Sequence, residues 1–394
     1  MNLIVKLLCG ILIGILMGMF APDVLIQSLI TVKYLVSQLI KFTIPLLILF
    51  YVTSGIASLP KNSGKLLGKT VGLAYMSTLG AGILAFLVAK SLFPILLDGA
   101  GQLPEAKAAL APFLALQIPP IMNIMTALTI AFIFGLGISS SGAEHLKKVS
   151  DQGRDIIELF LNKVIIPALP FYIAGVFADM TVKGTVFATL QTFSLVLVAV
   201  IVMHWVWLTF QFVTTGIAIQ QSPLKILRTM MPAYFTAVGT MSSAATVPVT
   251  LQQTKRNGVS SSIANFVVPL CANIHMSGSV ISIASVAVAV ILMTGGSVPS
   301  LLEALPFIAM LGVTMVAAPG APGGAVMASV GLLGSMLGFT EEMIALQIVL
   351  HLAQDSFGTA CNVTGDGVIA LLIDKMSGET GETEEGLELV EETI

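Results

Sequence analysis

Charge is what this sequence has least of. Its 394 residues include 18 Lys and Arg and 21 Asp and Glu, 10% of the chain, where a soluble domain carries about a quarter. Hydrophobic residues make up 56% and the mean hydropathy is +0.97. That excludes a solvated globular fold and points to an all-α polytopic membrane protein whose first partner is the lipid bilayer. Across residues 257–374 there is not one Lys or Arg, and no basic patch elsewhere suits nucleic acid. Cysteine is scarce too. Cys9, Cys271 and Cys361 all lie in apolar stretches, which excludes a disulfide framework and leaves three small buried hydrophobes. No His-Glu-x-x-His zinc motif occurs. Asp355 and Asp366 invite comparison with an intramembrane aspartyl protease, but the helix between them spans about 16 Å, against the roughly 3 Å that a proton-sharing pair needs. Neither enzymatic activity nor an organic cofactor is expected.

What the chain does have is a series of apolar runs, at about 3–21, 24–58, 68–97, 111–141, 155–178, 186–219, 230–252, 259–294, 299–337 and 343–373. A span takes about 20 residues, so the longer runs must be tilted, kinked or doubled back. Residues 1–20 lack a small-x-small cleavage site and read as a retained first span rather than a secretory leader. Basic residues cluster before the third run (Lys61, Lys65, Lys69), the fifth (Lys147, Lys148, Arg154) and the seventh (Lys225, Arg228). The positive-inside rule makes those connections cytoplasmic, which gives six spans up to residue 219 and a cytoplasmic N-terminus. Lys33 and Lys41, inside the second run, are expected to snorkel toward an interface. His204, beside Trp205 and Trp207, reads as an interfacial or packing group.

The seventh run breaks the alternation. It begins after Lys225 and Arg228 and ends at Lys255-Arg256, so it is predicted to enter the membrane and return, with residues 240–248 as a small, polar tip. The stretch 299–337 is too long for one span and is interrupted by Pro319-Gly320-Ala321-Pro322-Gly323-Gly324. Its flanking loops carry no positive charge, so it reads as a second hairpin entering from the opposite face. Between the hairpins, 259–294 is broken at Asn273-Ile274-His275-Met276-Ser277-Gly278-Ser279. Irregular backbone at membrane depth persists only where it is buried in protein or lines a cavity. Interrupted segments in matching places of two units mark a transporter's binding site. The pattern is an inverted repeat, with six spans in 1–222, a transport core in 223–376 and an acidic, disordered cytoplasmic tail in 377–394.

The last run carries the densest chemistry. Asp355, Thr359, Asn362 and Asp366 fall within about 60° of one another on a helix, a polar stripe about 16 Å long. A carboxylate at mid-bilayer costs a few kcal/mol unless it meets a partner or a water-filled cavity. A substrate and cation site explains the stripe better than a helix–helix hydrogen-bond seam.

Four motifs in order resemble those of the dicarboxylate/amino acid:cation symporters, the glutamate and neutral amino acid transporter family, over nearly the whole chain. They are Ser242-Ser243-Ala244-Ala245-Thr246-Val247-Pro248-Val249-Thr250, Met276-x-Gly278, Gly320-Ala321-Pro322-Gly323-Gly324 and Asn362-Val363-Thr364-Gly365-Asp366. Ile118-Pro119-Pro120-x-x-Asn123 is similar to the family's entry into the fourth span. The resemblance implies eight transmembrane helices plus two opposed re-entrant hairpins, a homotrimer in the cytoplasmic (inner) membrane with both termini inside, and an elevator movement of the hairpin-bearing domain against a scaffold. By matching position it implies that Asp355 holds the amino group of an amino acid substrate. Asn362 and the first tip (Met241, Ser242, Ser243) take the carboxylate, and Thr359 lines the pocket. The second tip, with Ala321, Pro322 and Gly323, closes over the substrate as a gate. Asp366 ligates a transported sodium ion with backbone oxygens near Cys271, His275, Met276 and Asn362, and Ser77 and Thr78 resemble hydroxyl ligands of a further sodium.

Two departures from the family pattern carry information. Relatives that take acidic amino acids place an arginine where this chain has Gly358 or Met241. Without a guanidinium, a second substrate carboxylate would be desolvated unpaired. A neutral amino acid is therefore expected, with Gly358 leaving room for its side chain. In the broken span, His275 and Ser277 stand where the family's buried sodium site has Asn and Asp. That predicts fewer coupled sodium ions. A proton carried by His275 is one alternative, a dicarboxylate substrate another, and a passive channel lined by the hairpins a third.

Overall fold

The structure, a computed structural model, describes residues 3–58, 64–98, 110–316, 318 and 323–378. Every regular element among them is helical. The first half consists of α1 (Leu3–Phe20), α2 (Asp23–Ala57), α3 (Gly64–Asp98), α4 (Ile124–Ser141), α5 (Glu144–Phe160), α6 (Ile166–Lys183) and α7 (Val186–Ile219). One wider, π-helical turn, Leu161–Ile165, joins α5 to α6. The second half pairs α8 (Pro223–Thr240) with α9 (Ser243–Arg256), α10 (Ser261–Ile274) with α11 (Ser277–Met293) and α12 (Leu301–Met315) with α13 (Gly324–Leu337). It ends in the long α14 (Glu341–Gly378). Six helical stretches among the described residues are long and apolar enough to cross a membrane. The three predicted interruptions all occur, at 241–242, at 275–276 and between α12 and α13. Ala321, Pro322 and the acidic tail lie outside the described residues.

Two expected runs differ. Residues 111–141 form no single span, because regular helix begins only at Ile124. Pro112, Pro119 and Pro120 lack backbone donors and favour extended chain before them. The segment instead runs along α2, with the Phe113 N–H donating to Thr31 Oγ1 at 2.9 Å and the Ile118 N–H to Gln38 Oε1 at 3.4 Å. Asn123 then caps α4 by accepting from the Thr126 N–H at 2.8 Å, so the Ile-Pro-Pro motif is an entry, as its resemblance implied. The fifth run starts earlier than 155. Its basic residues ride on α5, whose charged and apolar residues segregate to opposite faces, and not on a loop.

Small residues let α1 close on α6. A Cβ at Gly10 would lie 2.5 Å from the Pro170 carbonyl oxygen, and one at Gly14 would lie 2.4 Å from that of Ala174. This four-residue spacing of glycines is the means by which helices approach in lipid, where apolar surface gives no drive to associate. The helices sort into two packing groups, α1, α2, α4, α5 and α6 in one, α3 and α7–α14 in the other. They meet mainly where α13 touches α2 and α4 and where α6 touches α7 and α14. Within the second group α10, α11 and α14 are innermost. In the most apolar windows of the α10–α11 span and of α14, 89% of residues are buried, against 33% for α3 and α7.

Lys183–Glu342 and Lys41–Glu341 join the two groups, and Asp179 pairs with Lys33 and Lys183 within the first. Lys183 Nζ lies 2.6 Å from Glu342 and 3.3 Å from Asp179, and Lys33 Nζ lies 2.7 Å from Asp179. Lys41 pairs with Glu341. Lys33 and Lys41 thus find carboxylates, supplied by α6 and by the start of α14.

Candidate functional site

The two hairpins reach α14 from opposite ends. The base of the first lies at the C-terminal end, where the Met230 side chain crowds Gly367 and the Ser260 hydroxyl bonds Asp374 at 2.6 Å. The second hairpin meets the N-terminal half, where the Gly323 N–H donates to Asp355 Oδ2 at 2.7 Å. Gly323 has φ +78° and a Cβ there would lie 2.8 Å from Leu352 Cδ2, so only glycine makes this approach. Asp355, Thr359, Asn362 and Asp366 are all buried, at 5%, 6%, 2% and 1% exposure, on the continuous helix α14. The predicted stripe therefore exists; its Asn362 and Asp366 face the break between α10 and α11, and its Asp355 faces the second hairpin.

That break exposes the first N–H groups of α11, which a straight helix would have satisfied internally. Neighbouring helices serve them. The Met276 N–H donates to Thr78 Oγ1 at 3.3 Å, and Asn362 Oδ1 accepts from the Gly278 and Ser279 N–H groups at 2.7 and 3.3 Å. The Asn362 amide donates in turn to Ser279 Oγ at 2.9 Å and lies 3.4 Å from the Met276 sulfur. Its side chain, which the resemblance implied for the substrate carboxylate, here caps α11. Thr78 Oγ1 also donates to the Ala74 carbonyl at 2.9 Å.

A second chain of bonds crosses four elements below it. Gln211 Nε2 on α7 donates to Ser77 Oγ on α3 at 2.9 Å, Ser77 Oγ lies 2.9 Å from His275 Nε2, and His275 Nδ1 lies 2.9 Å from Asp366 Oδ1. With a neutral imidazole every donor meets an acceptor: Gln211 to Ser77, Ser77 to His275, His275 to Asp366. Asp366 then remains a carboxylate with one oxygen outside the chain. The ring rests on Gly365, where a Cβ would lie 2.6 Å from His275 Cε1. Sodium prefers such hard oxygen ligands, and unwound backbone next to a carboxylate supplies them. Cys271 is buried and its carbonyl oxygen accepts from the His275 N–H at 2.8 Å. Cys361 is buried, Cys9 is exposed, and none of the three is in a disulfide.

At the first tip, Met241 turns the chain with φ +54° and is buried, and Ser242 Oγ accepts from the Ala245 N–H at 3.3 Å as the cap of α9. Ser243 is buried beside it at 5% exposure. Gly358 stands at a helix crossing. A Cβ at Gly358 would lie 3.3 Å from Ser282 Oγ and 3.5 Å from the Gly278 carbonyl, while one at Gly278 would lie 2.3 Å from the Gly358 carbonyl oxygen. The expectation that Gly358 opens room for a substrate side chain is corrected accordingly: the space it leaves is taken by α11.

Sequence reasoning missed Gln211 and undervalued His204. His204 is fully buried, with Nε2 3.0 Å from the Gly278 carbonyl oxygen and 3.2 Å from Ser282 Oγ. It packs in the protein interior. The available signal was the same for both, a polar side chain in the middle of an apolar run.

Comparison with known proteins agrees with this architecture. The serine/threonine transporters SstT of Acinetobacter baumannii strains AYE and AB307-0294 are each 25% identical to the chain over 394 aligned residues, covering 95% of it and 96% of the relative. The profile of the sodium:dicarboxylate symporter family matches residues 3–376. The match runs from the first helix into the last turn of the last, and the chain is a membrane transporter that belongs to the sodium:dicarboxylate symporter family.

Proposed function

We propose that the protein is a secondary active symporter that takes up a neutral L-amino acid with sodium, carrying it on the α3 and α7–α14 group past the remaining helices in an elevator-type alternating-access movement. One observation carries the reading. Two carboxylates, Asp355 and Asp366, are buried on one helix face within a segment, 257–374, that holds no Lys or Arg to pair with them. A buried carboxylate without a counter-charge is costly, so each calls for a cation from outside the chain, a substrate ammonium at Asp355 and sodium at Asp366. The same missing guanidinium disfavours a substrate with a second carboxylate. The serine/threonine naming of the relatives supports a neutral amino acid, and the family's description supports sodium.

Ser77, Thr78 and the carbonyls around His275 and Met276 complete the cation side of this proposal, and Ser242, Ser243, Thr359 and the second tip complete the substrate side. Asn362 serves both through the helix it caps. The protein is further proposed to be a homotrimer in the cytoplasmic membrane with both termini inside, on the resemblance and the distribution of basic residues. One observation favours a second reading. His275 fills the space between Asp366 and Ser77, so a proton on its imidazole would replace a sodium in the coupling.

Purified protein in proteoliposomes, with sodium and pH gradients imposed separately, distinguishes these. Uphill accumulation of serine, alanine or threonine on a sodium gradient alone is the expected result. Accumulation that ignores sodium and follows the pH gradient would establish the second reading instead, and a strong preference for aspartate or glutamate would overturn the neutral substrate.

A further inference from the structure

Asp355 has an unexplained neighbour. One turn earlier on α14, His351 Nε2 lies 3.4 Å from Asp355 Oδ1, the oxygen that Gly323 does not use. His351 has 0% exposure, and neither of its ring nitrogens has a hydrogen-bond partner. Buried polar atoms are nearly always paired, so an imidazole with both nitrogens unmet beside a binding carboxylate marks a place for a ligand group. The other histidine in this region, His204 on α7, differs in that its Nε2 meets Gly278 and Ser282 and only its Nδ1 is unmet.

We propose that His351 reads the substrate's side chain, and that the group it reads is a β-hydroxyl. The proposal rests on the reading above that Asp355 receives the substrate's ammonium. In a 2-amino-3-hydroxy acid the nitrogen and the hydroxyl oxygen are on adjacent carbons. When the ammonium bonds Asp355 Oδ1, the hydroxyl therefore lies within reach of an imidazole nitrogen 3.4 Å from that same oxygen. Imidazole offers either a donor or an acceptor to a hydroxyl, which is itself both. A site built to bond a hydroxyl penalises the analogue that lacks it, because the site's own polar group is then left unmet. The predicted class is small β-hydroxy amino acids, preferred over the same skeletons without oxygen.

The test is the ratio of kcat/KM for serine over alanine, and for threonine over 2-aminobutyrate, in proteoliposomes. Wild type should favour the hydroxylated member of each pair by about 5–10-fold, the value of one neutral hydrogen bond. His351→Leu should bring both ratios to within about 2-fold of unity whatever its absolute rates, and His351→Gln, which keeps a donor and an acceptor, should retain an intermediate preference. Ratios in His351→Leu that match wild type overturn the proposal, because a packing role alone would scale both substrates together. If both variants lose all uptake, the wild-type ratios decide: values near unity overturn it, and a preference that O-methylserine does not share with serine upholds it. Failure of the broader reading is distinct, since wild type would then accumulate no neutral amino acid on any gradient.

Discussion

The crossing of α11 and α14 at Gly278 and Gly358 gives an asymmetric prediction. The two glycines face each other, yet their tolerances differ. A Cβ on Gly278 would lie 2.3 Å from the Gly358 carbonyl oxygen and 2.6 Å from the Cys361 Cβ. Neither atom can rotate away, so the helices must separate by about 1 Å, enough to lose a quarter to a half of the dispersion energy along the contact. Overpacking of this kind costs about 1–3 kcal/mol. Gly278 also donates to Asn362 and receives His204, and disturbing those two bonds adds about 1 kcal/mol each. The expected penalty for Gly278→Ala is therefore about 3–5 kcal/mol.

A Cβ on Gly358 meets only the Ser282 hydroxyl at 3.3 Å and Gly278 at 3.5 Å. The hydroxyl can rotate, and alanine is better than glycine in a helix by about 0.5–1 kcal/mol, so Gly358→Ala should be neutral or slightly stabilising. Thermal unfolding of the purified protein in detergent, followed by size-exclusion chromatography, reads both variants. Serine uptake should fall sharply for Gly278→Ala and persist for Gly358→Ala. The reasoning fails if the two variants behave alike or if Gly358→Ala is the more damaging.

Other outcomes follow from the same geometry. Asp355→Asn removes the charge proposed for the substrate ammonium and weakens the bond from Gly323, so the KM for serine should rise about 10–100-fold, measured by uptake kinetics. Gln211→Leu leaves Ser77 without its donor at the head of the chain to Asp366, and should cost about 1–3 kcal/mol in thermal stability while shifting the sodium dependence of uptake. Asp179→Ala strands the part-buried Lys33, while Lys183 keeps Glu342, and should cost about 1–3 kcal/mol. Glu342→Gln, on a side chain 69% exposed, should cost less than about 1 kcal/mol. Maleimide labelling followed by intact mass should leave Cys271 and Cys361 unmodified, because both are buried; an adduct at either would show that the core opens in solution.

Much of this protein is written in its order of residues. A charge content of 10% leaves membrane burial as the only solution, since so apolar a chain cannot be solvated. The interruptions are marked locally by small polar residues in the middle of apolar runs, so the break at His275 and Met276 and the reversal at Met241 and Ser242 were legible before any packing was known, whereas Pro232, Pro248 and Pro269 sit inside continuous helices. The stripe of Asp355, Thr359, Asn362 and Asp366 follows from helical periodicity alone, because one continuous helix carries it.

What each side chain touches is another matter, because partners come from helices distant in sequence. Asn362 looked free to bind a substrate, and tertiary structure gives it the N-terminus of α11. Gly358 looked like open space, and α11 fills it. The carboxylate partners of Lys33 and Lys41, on α6 and α14, could not be named from the sequence. Gln211 drew no notice, since a lone glutamine in an apolar run has no meaning until Ser77 and His275 stand beside it. Periodicity is set by the backbone and repeats wherever a helix forms, whereas the pairing of faces is set by how whole helices pack. Only the folded chain decides that.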